Sequence, residues 1–289
     1  IENGMVDAKA MSLTGCLIYL DVVSVGATIN IMLAAAKADG LTIIENAARE
    51  PHIVDLANFL NSMGANIMGA GTGVIKIRGV KHLSGADYSI IPDQIEAGTY
   101  MAAAVATRGD ILVTNVTPKH LESIIAKLRE TGAEITEFDE SVRVKMTRRP
   151  RKCNVKTMPH PGFPTDMQPQ IAAVLSIADG TSIITEGVWD SRFRYVEQLT
   201  FMGADIQVDG KMAVITGVEC LKPSPVRAVD LRAGAAMIIA GLSTDGTTEI
   251  EEIDHIDRGY ENVVEKFSAL GADIKRVKSF DNIKALKQA

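Results

Sequence analysis

Gly64-Ala65-Asn66-Ile67 is the first of four copies of a Gly-Ala-x-Ile element, and these copies decide how the chain folds. The others are Gly132-Ala133-Glu134-Ile135, Gly203-Ala204-Asp205-Ile206 and Gly271-Ala272-Asp273-Ile274. The interval between copies is about 70 residues, which is the mark of an internal repeat. A second glycine series, Gly40, Gly109, Gly180 and Gly246, keeps a similar interval. The chain is therefore interpreted as four repeats of one unit.

The order of elements within a repeat follows from local patterns. An apolar, Ala-rich stretch such as residues 30–37 predicts a buried helix, because it has no polar face to turn to water. The glycine of the second series predicts the end of that helix, and a β-branched run such as residues 42–44 predicts a strand. An amphipathic helix and a two-stranded hairpin, marked by Asp209-Gly210 in the third repeat, complete the unit. The expected fold class is mixed α/β.

Two stretches that resemble binding motifs are interpreted as ordinary connections. Residues 69–73, Gly-Ala-Gly-Thr-Gly, lack both GxGxxG and a following Lys-Ser/Thr, so a hairpin turn is expected there and not a phosphate loop. Residues 148–152, Arg-Arg-Pro-Arg-Lys, are expected to form a solvated linker between two repeats.

Composition excludes several classes of function. A length of 289 residues suggests about two domains. A net charge of −6 and an aromatic content of 4% do not indicate the basic or stacking surface that binds nucleic acid. No apolar run is long enough for a membrane helix, so no membrane partner is expected. Cys16, Cys153 and Cys220 show no disulfide or zinc spacing, which indicates a reducing, cytoplasmic environment, and the histidines show no metal-ligand spacing.

A short polar residue stands at the predicted start of each buried helix: Ser24, Asp93, Asp166 and Asp230. One interpretation is N-capping, in which the side chain accepts a hydrogen bond from a free backbone N–H. The alternative is a ligand site, since helix N-termini that face one cleft attract phosphate or carboxylate groups. The sequence leaves both interpretations open.

Asp166 and two arginines are candidates for chemistry. Three prolines between residues 159 and 164 fix the backbone before Asp166, and rigid placement suits a general base that must meet a hydroxyl. Arg192 and Arg258 each follow the β-branched strand of their repeat and suit the capture of carboxylate or phosphate. The alternative for Arg258 is an ion pair with Asp257 or Glu261.

Several stretches together resemble the enolpyruvyl transferases, over about residues 21–277. They are Val23-Ser24-Val25-Gly26-Ala27-Thr28, residues 45–51 (Glu-Asn-Ala-Ala-Arg-Glu-Pro), residues 159–168, Asp230-Leu231-Arg232-Ala233 and residues 255–261. The resemblance implies an inside-out α/β barrel in each of two domains, with three repeats per domain. It implies enolpyruvyl transfer from phosphoenolpyruvate to the 3′-hydroxyl of UDP-N-acetylglucosamine, by addition and elimination, in peptidoglycan precursor synthesis. It implies no metal and no organic cofactor.

The resemblance also assigns roles to residues. Asp166 matches the favoured general base. Matches to substrate-binding positions are Val22, Val23, Ser24, Val25, Gly26, Val188, Arg192 and Arg258. Matches to supporting positions are Glu50, Asp93, Asp230 and Arg232.

The family has six repeats, whereas this chain shows four. We therefore expect residues 1–91 to be the last repeat of an incomplete domain and residues 92–289 to be a three-repeat domain. The opening Ile1 suggests a fragment, and the two missing repeats, with a Lys-Asn pair and a general-acid Cys or Asp, would precede it. None of the three cysteines occupies that motif, and the tail 279–289 has no counterpart in the family. Two alternatives stay open: a non-catalytic UDP-sugar-binding remnant, and a relative of 3-phosphoshikimate enolpyruvyl transferase.

Overall fold

The computed structural model describes residues 4–5 and 7–277, and the tail 279–289 lies outside the described residues. The chain divides into two compact units. Unit 1 comprises Ile1–Pro92 and Met158–Pro164, and unit 2 comprises Asp93–Thr157 and Thr165–Ala289. The assignment of residues 1–91 and 92–289 to an incomplete and a complete barrel stays a prediction.

The elements follow the predicted repeat order. The first repeat contains β1 (Leu17–Tyr19), α1 (Val25–Ala35), β2 (Leu41–Glu45), α2 (Pro51–Ser62), β3 (Asn66–Met68) and β4 (Val74–Arg78). The second contains α3 (Gln94–Thr107), β5 (Asp110–Thr114), α4 (Glu122–Glu130), β6 (Glu134–Glu137) and β7 (Ser141–Lys145). The third contains β8 (Val155–Lys156), α5 (Gln168–Ser176), β9 (Thr181–Thr185), α6 (Val196–Phe201), β10 (Asp205–Asp209) and β11 (Met212–Thr216). The fourth contains β12 (Val226–Arg227), α7 (Leu231–Leu242), β13 (Ile250–Glu251), α8 (Asp254–Asp257) and α9 (Val263–Ala269).

The sheets repeat one topology. The first and third repeats form four-stranded sheets in the orders β1-β2-β4-β3 and β8-β9-β11-β10. In both, the first two strands run parallel because a helix crosses between them, and the remaining pairs are antiparallel. The turn at residues 69–73 joins β3 to β4 and Asp209-Gly210 joins β10 to β11, so both predicted hairpins are confirmed. Residues 272–277, where the fourth hairpin would begin, form no strand within the described part of the chain.

The first and third repeats also share one close approach of backbone to backbone. A Cβ added at Gly79 would lie 1.6 Å from the carbonyl oxygen of Ala38, and one at Gly217 would lie 1.8 Å from that of Ala178. Only glycine fits where the last strand of a repeat passes the tail of its helix. The repeated geometry supports the interpretation of the chain as copies of one unit.

The predicted helix ends are wrong by a few residues. Helix α1 ends at Ala35 and α5 at Ser176, well before Gly40 and Gly180. The residue just before each glycine pairs with the incoming segment, as Asp39 does with Thr14 and Asp179 with Arg151. The helix must end early to leave that residue free for pairing. In the second repeat the left-handed residue is Arg108, and not Gly109.

The basic run 148–152 is exposed at Arg148, Arg151 and Lys152, as predicted for a solvated linker, but Arg149 and Pro150 are partly or fully buried. The Arg149 guanidinium donates to four backbone carbonyls, those of Ile177 (2.9 Å), Ala178 (3.0 Å), Gly217 (3.2 Å) and Val218 (2.7 Å). The carbonyls of Ile177 and Ala178 follow α5, where a helix end leaves carbonyls without partners, and those of Gly217 and Val218 follow β11. Arg149 therefore joins the second repeat to the third.

Helices α3, α5 and α7 pack on one another and form the core of unit 2. All nine residues of α5 are buried, which agrees with the prediction of helices without a polar face. The same prediction is wrong for α1 of unit 1, where only Thr28, Met32 and Ala35 are buried. Its described neighbours, α2, β2 and β4, cover one side of it. No helix in the described ranges is long and apolar enough to cross a membrane.

Candidate active site

Asp166 lies at the centre of a charged cluster in unit 2. It sits in a short 3-10 turn, Thr165–Met167, directly before α5. Its Oδ1 accepts a hydrogen bond from Arg192 Nη2 at 2.8 Å, and its Oδ2 accepts from Arg232 Nη2 at 2.9 Å. Arg192 also donates through Nε to the carbonyl oxygen of Thr165 at 3.1 Å. Two guanidinium groups from two different repeats thus fix one carboxylate.

The burial of the cluster is uneven. The side chain of Asp166 is 43% exposed, whereas those of Arg192 and Arg232 are 12% and 14% exposed. Burial alone would lower the pKa of Arg232, but the Asp166 carboxylate and the Tyr260 hydroxyl together outweigh burial and hold that pKa above its ordinary value. The arginines are therefore fixed charges beneath a carboxylate that solvent reaches. An anionic ligand at this surface would meet two cations that need no rearrangement of the fold.

Tyr260 supports Arg232 from below. The guanidinium lies 5.9 Å from the centre of the Tyr260 ring, within cation–π range. The Tyr260 hydroxyl lies 2.9 Å from Thr99 Oγ1 of α3, and Gln170 Nε2 of α5 donates to both oxygens. Tyr260 is buried, which raises the pKa of its hydroxyl. A hydrogen-bonded group between buried helices thus anchors the residue on which Arg232 rests.

The four helix-start residues divide into two kinds. Ser24 accepts from the N–H of Ala27, Asp93 from that of Ile95, and Asp230 from those of Arg232 and Ala233, so these three are N-caps. For Asp166, capping is wrong, because α5 has no side-chain cap and the carboxylate is turned to the arginines. Asp230 has a second consequence, since capping α7 fixes the backbone from which Arg232 projects.

Arg258 and Val188 lie outside the Asp166 cluster. Arg258 is exposed and makes no ion pair within the described part of the chain, so the alternative pairing with Asp257 or Glu261 is wrong. Asp257 instead accepts from Arg276 at 2.6 and 2.8 Å. Val188 lies on an exposed loop after β9, and its N–H donates to Glu186 Oε1 at 2.8 Å. Among the described residues, Arg258 is thus an unpaired cation at the surface of unit 2.

The remaining predicted residues belong to unit 1. Val22–Ser24 lead into α1, and Val25 and Gly26 are its first two residues. Val23 and Val25 pack against the core of that unit. Glu50 precedes α2, and its Oε1 accepts from the N–H of His160 at 3.3 Å. Its Oε2 is buried without a hydrogen-bond partner in the described structure. The roles assigned to these residues stay predictions.

The described residues contain no group of three or more His, Cys, Asp or Glu side chains that could hold a metal ion. Cys153 is buried, and burial raises the pKa of its thiol to about 12, with a further contribution from the nearby Glu130 carboxylate. Cys16 and Cys220 are exposed.

The sequence profile of the EPSP synthase family (3-phosphoshikimate 1-carboxyvinyltransferase) matches residues 2–267. The chain belongs to this family of enolpyruvyl transferases. It is 58% identical to UDP-N-acetylglucosamine 1-carboxyvinyltransferase 3 of Caldanaerobacter subterraneus, over 96% of this chain and 67% of that protein. It is 57% identical to UDP-N-acetylglucosamine 1-carboxyvinyltransferase of Clostridium botulinum, over 96% of this chain and 66% of that protein.

Solved structures of enolpyruvyl transferases share the fold. The enolpyruvyl transferase NikO from Streptomyces tendae superposes with a TM-score of 0.82 at 28% identity, covering 93% of this chain and 66% of that one. EPSP synthase from Acinetobacter baumannii gives 0.73 at 20% identity, covering 92% and 64%. The predicted fold class is confirmed by these similarities. The chain spans about two thirds of the length of the relatives that it matches.

Sequence reasoning missed three residues of the candidate site, Glu186, Thr165 and Tyr260. Glu186 is a buried carboxylate that follows β9 directly, and a charged residue straight after a β-branched strand is a usable signal. Tyr260 lies within the stretch 255–261, in which Arg258 is the predicted site residue. The bonds of Tyr260 reach residues more than 80 positions away, and no local pattern contains them.

Proposed function

We propose that the protein transfers the enolpyruvyl group of phosphoenolpyruvate to the 3′-hydroxyl of UDP-N-acetylglucosamine and releases phosphate. The observation that carries the proposal is the Asp166 carboxylate, held by Arg192 and Arg232 in a chain 52–58% identical to proteins named for this reaction. The reaction would serve peptidoglycan precursor synthesis in the cytoplasm. Its partners would be the two small-molecule substrates.

The chemistry requires a base and fixed positive charge. In the addition step the sugar oxygen bonds to C2 of phosphoenolpyruvate, the hydroxyl proton leaves to a base, and C3 gains a proton. In the elimination step C3 loses a proton, the C2–O bond to phosphate breaks and the enol double bond returns. Asp166 would accept the hydroxyl proton. Phosphoenolpyruvate carries a carboxylate and a phosphate, and guanidinium groups bind both in bidentate fashion.

Asp166 would have to be released from its two arginine partners to act as a base. In the described structure both oxygens of the Asp166 carboxylate accept hydrogen bonds from guanidinium groups. An anionic substrate would compete for Arg192 and Arg232 and so release Asp166 toward the hydroxyl. Arg258, exposed and without an ion pair in the described residues, would supply further positive charge. The resemblance to the family assigns nucleotide-sugar contacts to Val22–Gly26 of unit 1 and to Val188 of unit 2, and supporting positions to Glu50, Asp93 and Asp230.

The test uses protein expressed from its complete coding sequence. Phosphate release is measured with both substrates and with each alone, and mass spectrometry identifies the enolpyruvyl ether. We expect release only with both, and its loss in Asp166→Ala. Near-normal turnover in that variant would remove Asp166 from its role. Shikimate 3-phosphate is the control acceptor, and turnover with it in place of the UDP-sugar would favour the other branch of the family.

A further inference from the structure

Glu186 is a buried carboxylate whose two oxygens have different partners. Its exposed fraction is 1%. Oε1 accepts the N–H groups of Val188 at 2.8 Å and Trp189 at 2.9 Å. Oε2 accepts the hydroxyl of Thr165 at 3.0 Å. Because a buried carboxylate is costly unless its oxygens are hydrogen-bonded, this arrangement is held in one geometry.

The two partners belong to two parts of the candidate site. Val188 lies on the loop after β9, which is also held where the N–H of Gly187 donates to Thr157 Oγ1 at 2.8 Å. Thr165 immediately precedes Asp166, and its carbonyl oxygen accepts from Arg192. Glu186 therefore ties the loop to the turn that presents the carboxylate, within unit 2.

We propose that Glu186 is a positioning residue that sets the distance between the Val188 loop and Asp166. The inference rests on the proposed function, in which the loop contacts the nucleotide sugar and Asp166 meets its hydroxyl. One ligand would be held at both ends, so a change in the spacing would misplace the hydroxyl. A misplacement of about 1 Å can lower a rate on the order of 100-fold.

The two oxygens allow the two effects to be separated. Glu186→Ala releases both the loop and the turn, so we expect kcat to fall by roughly 10–100-fold and the Kd of UDP-N-acetylglucosamine to rise by about tenfold. Thr165→Ala releases only the turn, so kcat should fall while that Kd changes by less than about twofold. Thr165→Ser keeps the hydroxyl and is the matched control. Glu186→Gln should recover most of the loss, because its carbonyl oxygen accepts both N–H groups and its amide can donate to Thr165.

Calorimetric titration with UDP-N-acetylglucosamine gives Kd, and phosphate release gives kcat. A Glu186→Ala variant with wild-type kcat and Kd would overturn the inference while the proposed function stands. The inference would also be overturned if Glu186→Ala lowered thermal stability but the kcat and Kd effects of Glu186→Ala and Thr165→Ala did not separate. If Glu186→Ala does not fold, the comparison of Thr165→Ala with Thr165→Ser decides, and equal kcat in those two rejects the link to Asp166.

Amide hydrogen exchange tests the same link without catalysis. Peptides that contain Val188 and Trp189 should exchange at least tenfold faster in Glu186→Ala than in Glu186→Gln, since only the alanine removes the acceptor. Equal exchange would show that Glu186 does not hold the loop. If the wild-type protein neither binds the UDP-sugar nor releases phosphate, the proposed function is refuted. The exchange result would still show whether Glu186 holds the loop that contains Val188 and Trp189.

Discussion

Helices α1 and α5 have similar apolar, small-residue sequences, yet the structure treats them differently. Helix α5 buries all nine of its residues, and its neighbours α3 and α7 bury 11 of 14 and eight of 12. Helix α1 buries three of 11, and Leu33 on its surface is 47% exposed. The difference follows from packing, because α3, α5 and α7 cover one another. An apolar sequence thus shows that a helix could be buried, whereas the elements packed around the helix determine how many of its residues are buried.

The two units should differ most strongly in the reactivity of their cysteines. A thiol with a pKa of about 12, such as that of Cys153, is only about 10⁻⁴ ionised at pH 8, and the thiolate is the reactive form. Cys153 of unit 2 should therefore react with an aromatic disulfide reagent more than about a thousandfold slower than the exposed Cys16 of unit 1. Single-cysteine variants would measure each rate. Comparable rates would show that the Cys153 site opens readily.

The same thiol predicts a pH dependence of stability. Because burial raises its pKa in the folded state, the stabilisation is present below the ordinary thiol pKa and is lost as pH rises toward about 12. Urea midpoints should fall more steeply above pH 9 in the parent protein than in Cys153→Ala. Parallel profiles would contradict a shifted thiol.

Leucine truncation compares the two helices directly. Leu175 of α5 is 0% exposed, so Leu175→Ala should cost about 2–5 kcal/mol in the free energy of unfolding. Leu33→Ala in α1 makes the same chemical change at a half-exposed site and should cost less than about 1 kcal/mol. Urea denaturation followed by circular dichroism measures both. A loss at Leu33 as large as that at Leu175 would mean that α1 is covered in solution.

Glycine-to-alanine substitution should give a smaller difference in stability between α7 and α1. A Cβ at Gly234 of α7 would lie 2.4 Å from Ile256 Cγ1 and 3.0 Å from Ala228 Cβ, so Gly234→Ala should destabilise by about 1–3 kcal/mol. A Cβ at Gly26 of α1 would have no heavy atom within 4 Å. Gly26→Ala should therefore be neutral or stabilise by up to about 1 kcal/mol. The urea midpoint should fall in Gly234→Ala and should stay unchanged or rise in Gly26→Ala, and a fall in both variants would argue against the packing difference.

Local patterns predicted much of the fold and less of the site. The repeat interval, the hairpin at Asp209-Gly210 and the capping by Ser24, Asp93 and Asp230 follow from short-range chemistry that a sequence displays. The Arg149 contacts with carbonyls up to 69 residues away do not, and neither does the Arg232 bond to Asp166. Asp166 shares its position in the repeat with the capping residues, and only the arginines brought in by other segments give it a different partner.

The loop held by Glu186 has an optical consequence. Trp189 is the single tryptophan of the 289-residue sequence, and its side chain is exposed beside Val188. The indole emission of this chain therefore originates from one loop of unit 2, next to the charged cluster. A molecule that settles against that loop would change the polarity around the indole, so the chain carries its own fluorophore for titrations, without a label.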